Sequence, residues 1–207
     1  ALLREGITKI PPDKGLSLLY QTLSACYVRR RELPIALETT REGMRALATA
    51  QHNRWRLTEA ALHICAAMGE PEMITEIIEG EGVDACEPFL VSLGDVLRLG
   101  LRGDWQGAAQ HAQSSRAAVP RFLPLMAAEA FAWLCAGRPD YADQARAGFI
   151  PGFRLEEGSA QAWLESLIAV QRDDQTTAAT ALAAYLGRPL AADEQPSREW
   201  LLRLWAD

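Results

Sequence analysis

Three histidines, four cysteines and twenty-seven carboxylates are the groups in this 207-residue chain that could hold a metal or move a proton. Their spacing does not gather them. His63 and Cys65 stand two apart, which on a helix sends them to different faces, whereas a metal needs convergent ligands. His52 and His111 have no carboxylate or cysteine at ligand spacing and read as solvated. Glu156-Glu157 and Asp173-Asp174 are adjacent acids that diverge on a helix or turn, while acid–base chemistry needs two carboxylates facing each other across a cleft. No C-x-x-C pair links Cys26, Cys65, Cys86 and Cys135. Cys26, Cys65 and Cys135 fall on apolar helical faces, where thiols serve as small core residues.

Motifs of nucleotide and acyl chemistry are missing as well. The chain holds neither G-x-x-x-x-G-K-[ST] nor G-x-S-x-G. Gly80-Glu81-Gly82 lacks the strand-to-helix setting of a dinucleotide loop and reads as a helix-ending linker. Arg102-Gly103-Asp104 spells an adhesion tripeptide, but it falls in an inter-helical turn. The expectation is a non-catalytic protein with no metal site and no cofactor.

The formal charge of −6 argues against direct nucleic-acid binding, which needs a basic face to displace counterions. The one basic run, Arg29-Arg30-Arg31, falls where a helix should end, and there cations meet the negative end of the helix dipole. Of 21 basic residues only Lys9 and Lys14 are lysines; with the abundant alanine this suggests a GC-rich bacterial genome. No signal peptide or long apolar run occurs, so the reading is no membrane span and a reducing cytoplasm. Ala1-Leu2-Leu3 reads like the tail of an earlier element, as in a segment of a longer protein.

Helices must position whatever this chain presents. Leu16, Leu19, Leu23, Cys26 and Tyr27 recur at spacings of three and four, drawing one stripe. Asp13 is a plausible N-cap. Pro34 suits the first turn of a second helix, which should run to about Ala50. The same event recurs at turns centred on positions 31, 69, 103, 137 and 173, at intervals of 34 to 38 residues. Glycine suits the left-handed end of the first helix, and Asp or Pro opens the second. Strand signals are weak, so the chain is expected to be all-α. A near-constant interval of this size marks stacked helical hairpins, each hiding its apolar face against the next.

This pattern resembles the tetratricopeptide repeat. Leu23-Ser24-Ala25-Cys26-Tyr27 is similar to that family's Leu-Gly-x-x-Tyr stretch, and Ala36 follows Tyr27 by nine, as in the consensus. Gly103-Asp104-Trp105 looks like its Gly-Asp-Tyr turn, with Ala108 and Ala112 at packing positions and Pro120 at the repeat's end. Other units are looser: Ile74 and Ile78 replace small and aromatic residues, Arg146 takes a large apolar position, and Asp173 stands for Gly. The resemblance implies a right-handed superhelical solenoid of about five antiparallel hairpins over 13–186, after a flank at 1–12 and before a linker and capping helix at 187–207.

It also implies a concave groove lined by the first helix of each hairpin. Carrying those positions across gives Gln21, Arg29, Arg56, Glu59 and His63 at a polar end. Leu93, Leu97, Phe131 and Trp163 fall at an apolar end; the competing reading packs Leu93, Leu97 and Phe131 between hairpins. A carboxylate clamp of the family's Lys/Asn type is not available here, since the one asparagine is Asn53. Trp200 and Trp205, on a short C-terminal helix opened by Ser197, either cap the last repeat or dock a partner. The expected function is a protein–protein interaction module binding a peptide or helix, within a larger bacterial regulatory protein. The alternative is an effector-sensing domain of a signal-transduction ATPase or transcriptional activator, holding a small effector.

Overall fold

A computed structural model describes residues 2–7, 9, 14–48, 51–80, 88–119, 122–148 and 155–186. Every regular element among them is a helix. They are α1 (Leu2–Ile7), α2 (Lys14–Arg29), α3 (Leu33–Ala46), α4 (Gln51–Met68), α5 (Pro71–Gly80) and α6 (Pro88–Leu101). Then come α7 (Trp105–Arg116), α8 (Leu123–Cys135), α9 (Pro139–Ala147), α10 (Leu155–Gln171) and α11 (Gln175–Leu186). None of these helices is long and apolar enough to cross a membrane.

The five turns read from the sequence are built alike. Arg31, Gly69, Gly103, Gly137 and Asp173 all have positive φ, between 58° and 80°. At each, two backbone bonds close the helix end. The N–H of Glu32 donates to the carbonyl of Tyr27 and that of Arg31 to Val28; the same pair recurs at Glu70/Cys65 and Gly69/Ala66. It recurs again at Asp104/Leu99 and Gly103/Gly100, at Arg138/Trp133 and Gly137/Leu134, and at Asp174/Ala169 and Asp173/Val170. This is the Schellman arrangement, which satisfies carbonyls that a helix end would otherwise leave unpaired.

The second helices then open as their residue types dictate. Asp104 accepts from the Gly107 N–H at 2.9 Å and Asp174 from the Thr177 N–H at 3.0 Å. Pro71 and Pro139 stand first in α5 and α9, where no N–H is required. Helix α3 ends at Ala46, four residues short of expectation. Asp13 and Pro120 lie outside the described residues.

Two of these turns place an L-residue in a conformation that costs it roughly 1–2 kcal/mol. Arg31→Gly should therefore raise unfolding stability by about 0.5–1 kcal/mol, net of glycine's own entropy loss. Asp173→Gly should gain less, because aspartate tolerates this region better. Urea midpoints of the two variants check both.

Contacts divide the chain into two compact units, the first comprising Ala1–Leu90 with Ala191–Asp207, the second Val91–Leu190. In the first, α2 packs on α3, α3 on α4, α2 on α4 and α4 on α5, with α1 against α2. Gly43 permits this closeness: a Cβ there would come within 2.7 Å of Cγ of Tyr20 and 2.9 Å of a Leu57 methyl. In the second, α7 packs on α8, α8 on α9, α9 on α10, α8 on α10 and α10 on α11. Both units thus contain the same triangle, in which a first helix touches its own second helix and the first helix of the next pair.

Candidate functional site

The first unit carries the positions expected at the polar end. On α4, Arg56, Glu59 and His63 share one stripe, at offsets of three and four. Arg56 and Glu59 are partly exposed, whereas His63 is buried. Arg56 lies over the ring of Trp55, 5.1 Å from its centroid, and Trp55 meets Phe89 edge-on at 6.0 Å. Burial holds the His63 imidazole down at about 4, against a hydrogen bond with the Glu59 backbone that pulls it up. It is a neutral core histidine near pH 7.

On α2, Arg29 is exposed in the last turn and Gln21 is buried, its Nε2 with no hydrogen-bond partner among the described residues. Beside it, the buried Ser24 hydroxyl meets Thr40 Oγ1 at 2.8 Å and donates to the Ala36 carbonyl at 3.2 Å. The Arg29-Arg30-Arg31 run does close a helix, and Arg30 pairs with Glu32 at 2.8 Å. Cys26 is a correction. It is exposed, because α2 buries the Tyr20–Ser24–Val28 side and turns this position outward; Cys65 is buried and Cys135 half-buried. Burial pushes the Cys135 thiol up to about 12, which makes it a poor nucleophile at neutral pH.

The expected apolar end lies within the second unit and is closed. Leu93, Leu97 and Phe131 are wholly buried and Trp163 nearly so. Phe131 stacks on Trp163 with centroids 5.6 Å apart and meets Trp105 edge-on at 6.0 Å. These rings form a core ladder, not a groove lining. The physical reason is the character of α8: residues Ala128–Leu134 are buried without interruption, so the helix is covered on every side.

Charged groups that spacing did not bring together meet across helices. Arg116 of α7 reaches Glu129 of α8, Nη1 to Oε2, at 3.2 Å. Glu129 is the lone charge in α8 and deeply buried; burial raises its carboxyl, with Arg116 pulling the other way. A single acid within an otherwise apolar helix was the available signal. Asp143 binds Arg146 at 2.7 Å and Arg172 at 3.1 Å, while Arg172 also reaches Asp140 at 2.7 Å. His111 approaches Asp95 of α6 at 3.8 Å, a carboxylate the linear spacing could not offer. Arg146, at a position expected to be apolar, extends toward Glu165 at 3.9 Å. The arginine–carboxylate contacts among these join opposite charges that offset one another. Among the described residues no three His, Cys, Asp or Glu side chains converge on a point where a metal could sit.

What stays accessible from the expected set is Arg29, Arg56 and Glu59 in the first unit. Trp200 and Trp205 lie outside the described residues. No protein-family model, curated protein or solved structure matches this chain.

Proposed function

We propose that this chain is a non-catalytic protein–protein interaction module, a tetratricopeptide-like solenoid of antiparallel helical hairpins that recognises a peptide or helix by preorganised shape. The recurrence of one Schellman turn at positions 31, 69, 103, 137 and 173 is the observation that carries this reading. The triangle of first helix, second helix and next first helix supports it in both units. So do Ala36, Ala108 and Ala112, which are fully buried at the positions where such hairpins need small residues. A rigid stack of this kind leaves most of the ordering cost to the ligand and recognises it by complementarity.

The ligand-facing residues on this reading are Arg29, Arg56 and Glu59, which suit a segment with charged side chains of both signs. Burial removes the hydrophobic anchor that Phe131 and Trp163 would have supplied. Selection of a random displayed-peptide library on the immobilised full chain tests the proposal. A shared motif should be enriched, and its affinity should fall about fivefold to tenfold on Arg56→Glu or Glu59→Lys, with helicity unchanged. Enrichment without any consensus, or binding indifferent to both charge reversals, would remove the groove.

A further inference from the structure

Three acids in the second unit stand at one register. Asp95, Glu129 and Glu165 each fall eight residues before a turn position, at 103, 137 and 173. Each meets a base on a second helix: His111 at 3.8 Å, Arg116 at 3.2 Å and Arg146 at 3.9 Å. Asp95 and Glu165 reach water, their side chains 28% and 44% exposed, and there solvent and salt weaken a pair. Glu129 is sealed off at 2%, whereas Arg116, at 28%, can turn into water.

The helix that carries Arg116 is lightly held at that end. Ala108, Ala109 and Ala112 are its buried residues, and from Gln113 to Arg116 none is buried. The backbone bonds that follow, from Ala117 to Ser114 and from Ala118 to Ser115, are local. Among the described residues, the contact with Glu129 is the charged tie from this end of α7 to α8. The guanidinium sits beside the end of α9 as well: a Cβ on Gly148 would lie 3.5 Å from its Nη1. The other charged groups on the helices packed against α8 are engaged elsewhere. Asp140 and Asp143 of α9 bind Arg172 and Arg146, Glu165 of α10 faces Arg146, and His111 of α7 faces Asp95. Arg138, which opens α9, lies over Tyr141.

We propose that Arg116 and Glu129 form a proton-operated latch, which pins the last turn of α7 to α8 while Glu129 is ionised and releases it when Glu129 takes up a proton. A protonated carboxyl tolerates burial without a counter-ion, but an ionised one left alone would be a bare charge in the core. Burial raises the Glu129 carboxyl and Arg116 pulls it down, so the acid holds its proton more tightly once Arg116 has left. Opening therefore takes up a proton. Between the closed and open values, each pH unit of acidification favours release about tenfold. The latch lies within the second unit and does not depend on the groove.

Hydrogen exchange of the full chain, followed by mass spectrometry and corrected for the pH dependence of amide chemistry itself, reads the latch. At about pH 8, Glu129→Gln should exchange about tenfold faster over 113–119, with α10 and α11 unchanged. Arg116→Gln should do the same, and the double variant should add nothing to either single change. In the parent the same stretch should loosen as the pH is lowered from about 8 to about 5, while in Glu129→Gln it should not respond. Equal protection of 113–119 in the parent and Glu129→Gln overturns the proposal. So does acceleration spread over α8, α10 and α11, which is general loss of stability, or a pH response that persists in Glu129→Gln. Should Glu129→Gln fail to fold, Arg116→Gln decides the matter: loosening confined to 113–119 supports the latch, and none, or a diffuse one, overturns it.

Discussion

Replacing Phe131 by alanine should cost the protein about 3–5 kcal/mol of unfolding free energy. The ring is wholly buried, stacked on Trp163 and met edge-on by Trp105, so its removal leaves a void lined by two indoles that cannot collapse around it. Total stabilities of single domains are about 5–15 kcal/mol. The variant is therefore expected to be close to unfolding at 37 °C, with a denaturant midpoint far below that of the parent. Phe131→Leu should lose less, since most of the volume stays. Tyr141→Ala is the matched comparison: Tyr141 lies against Trp133 at 5.0 Å but is 39% exposed, and should cost much less. If Phe131 instead lined an open groove, its truncation would leave the midpoint nearly where it was and weaken only ligand binding. Guanidinium unfolding curves distinguish the two outcomes.

The second large effect is on acid stability, and it comes from His63. Its folded value, about 4, lies below the ordinary 6.5 of the unfolded chain, because burial disfavours the imidazolium. Above pH 6.5 the group is neutral in both states and its contribution is complete. Between 6.5 and 4 the unfolded chain binds the proton and the native one does not, so stability falls as the pH falls. The loss is ~1.4 kcal/mol per pH unit and sums to about 3 kcal/mol. Glu129 works in the opposite direction. Its folded value is raised, so its contribution is complete below the ordinary 4.5 and is lost as the pH rises through the raised value. A difference measurement separates them. The stability gap between the parent and His63→Gln should narrow by about 3 kcal/mol from pH 7 to pH 4; an equal gap at both would mean an imidazole that meets water.

The turns were legible in the sequence because their causes are local. A glycine or a tolerated Arg or Asp at the left-handed position, then Asp or Pro opening the next helix, is decided within about six residues. The intervals between turns made the helix–turn–helix breaks countable for the same reason. Site residues were legible only by stripe. Spacing says that Arg56, Glu59 and His63 share a side of α4, and that Phe131 lies along a first helix. It does not say whether another element covers that side. For α8 the warning was present: Leu123–Cys135 is apolar on every face but for Glu129, and such a helix belongs inside. Cys26 went astray because an apolar stripe on α2 is wider than the face α2 buries. The pairings Arg116–Glu129 and His111–Asp95 join different helices, and Arg172–Asp140 joins the turn after α10 to α9; no periodicity within one helix encodes which partner comes alongside.

The repeated Schellman turn also bears on how quickly this chain finds its structure. Each turn closes over three residues, and each second helix meets its first without waiting for distant sequence. Most productive encounters are therefore between near neighbours along the chain, the regime in which small helical proteins fold in microseconds to milliseconds. On the solenoid reading proposed above, any of the five closures can act as a starting point, with order spreading outward from it on either side.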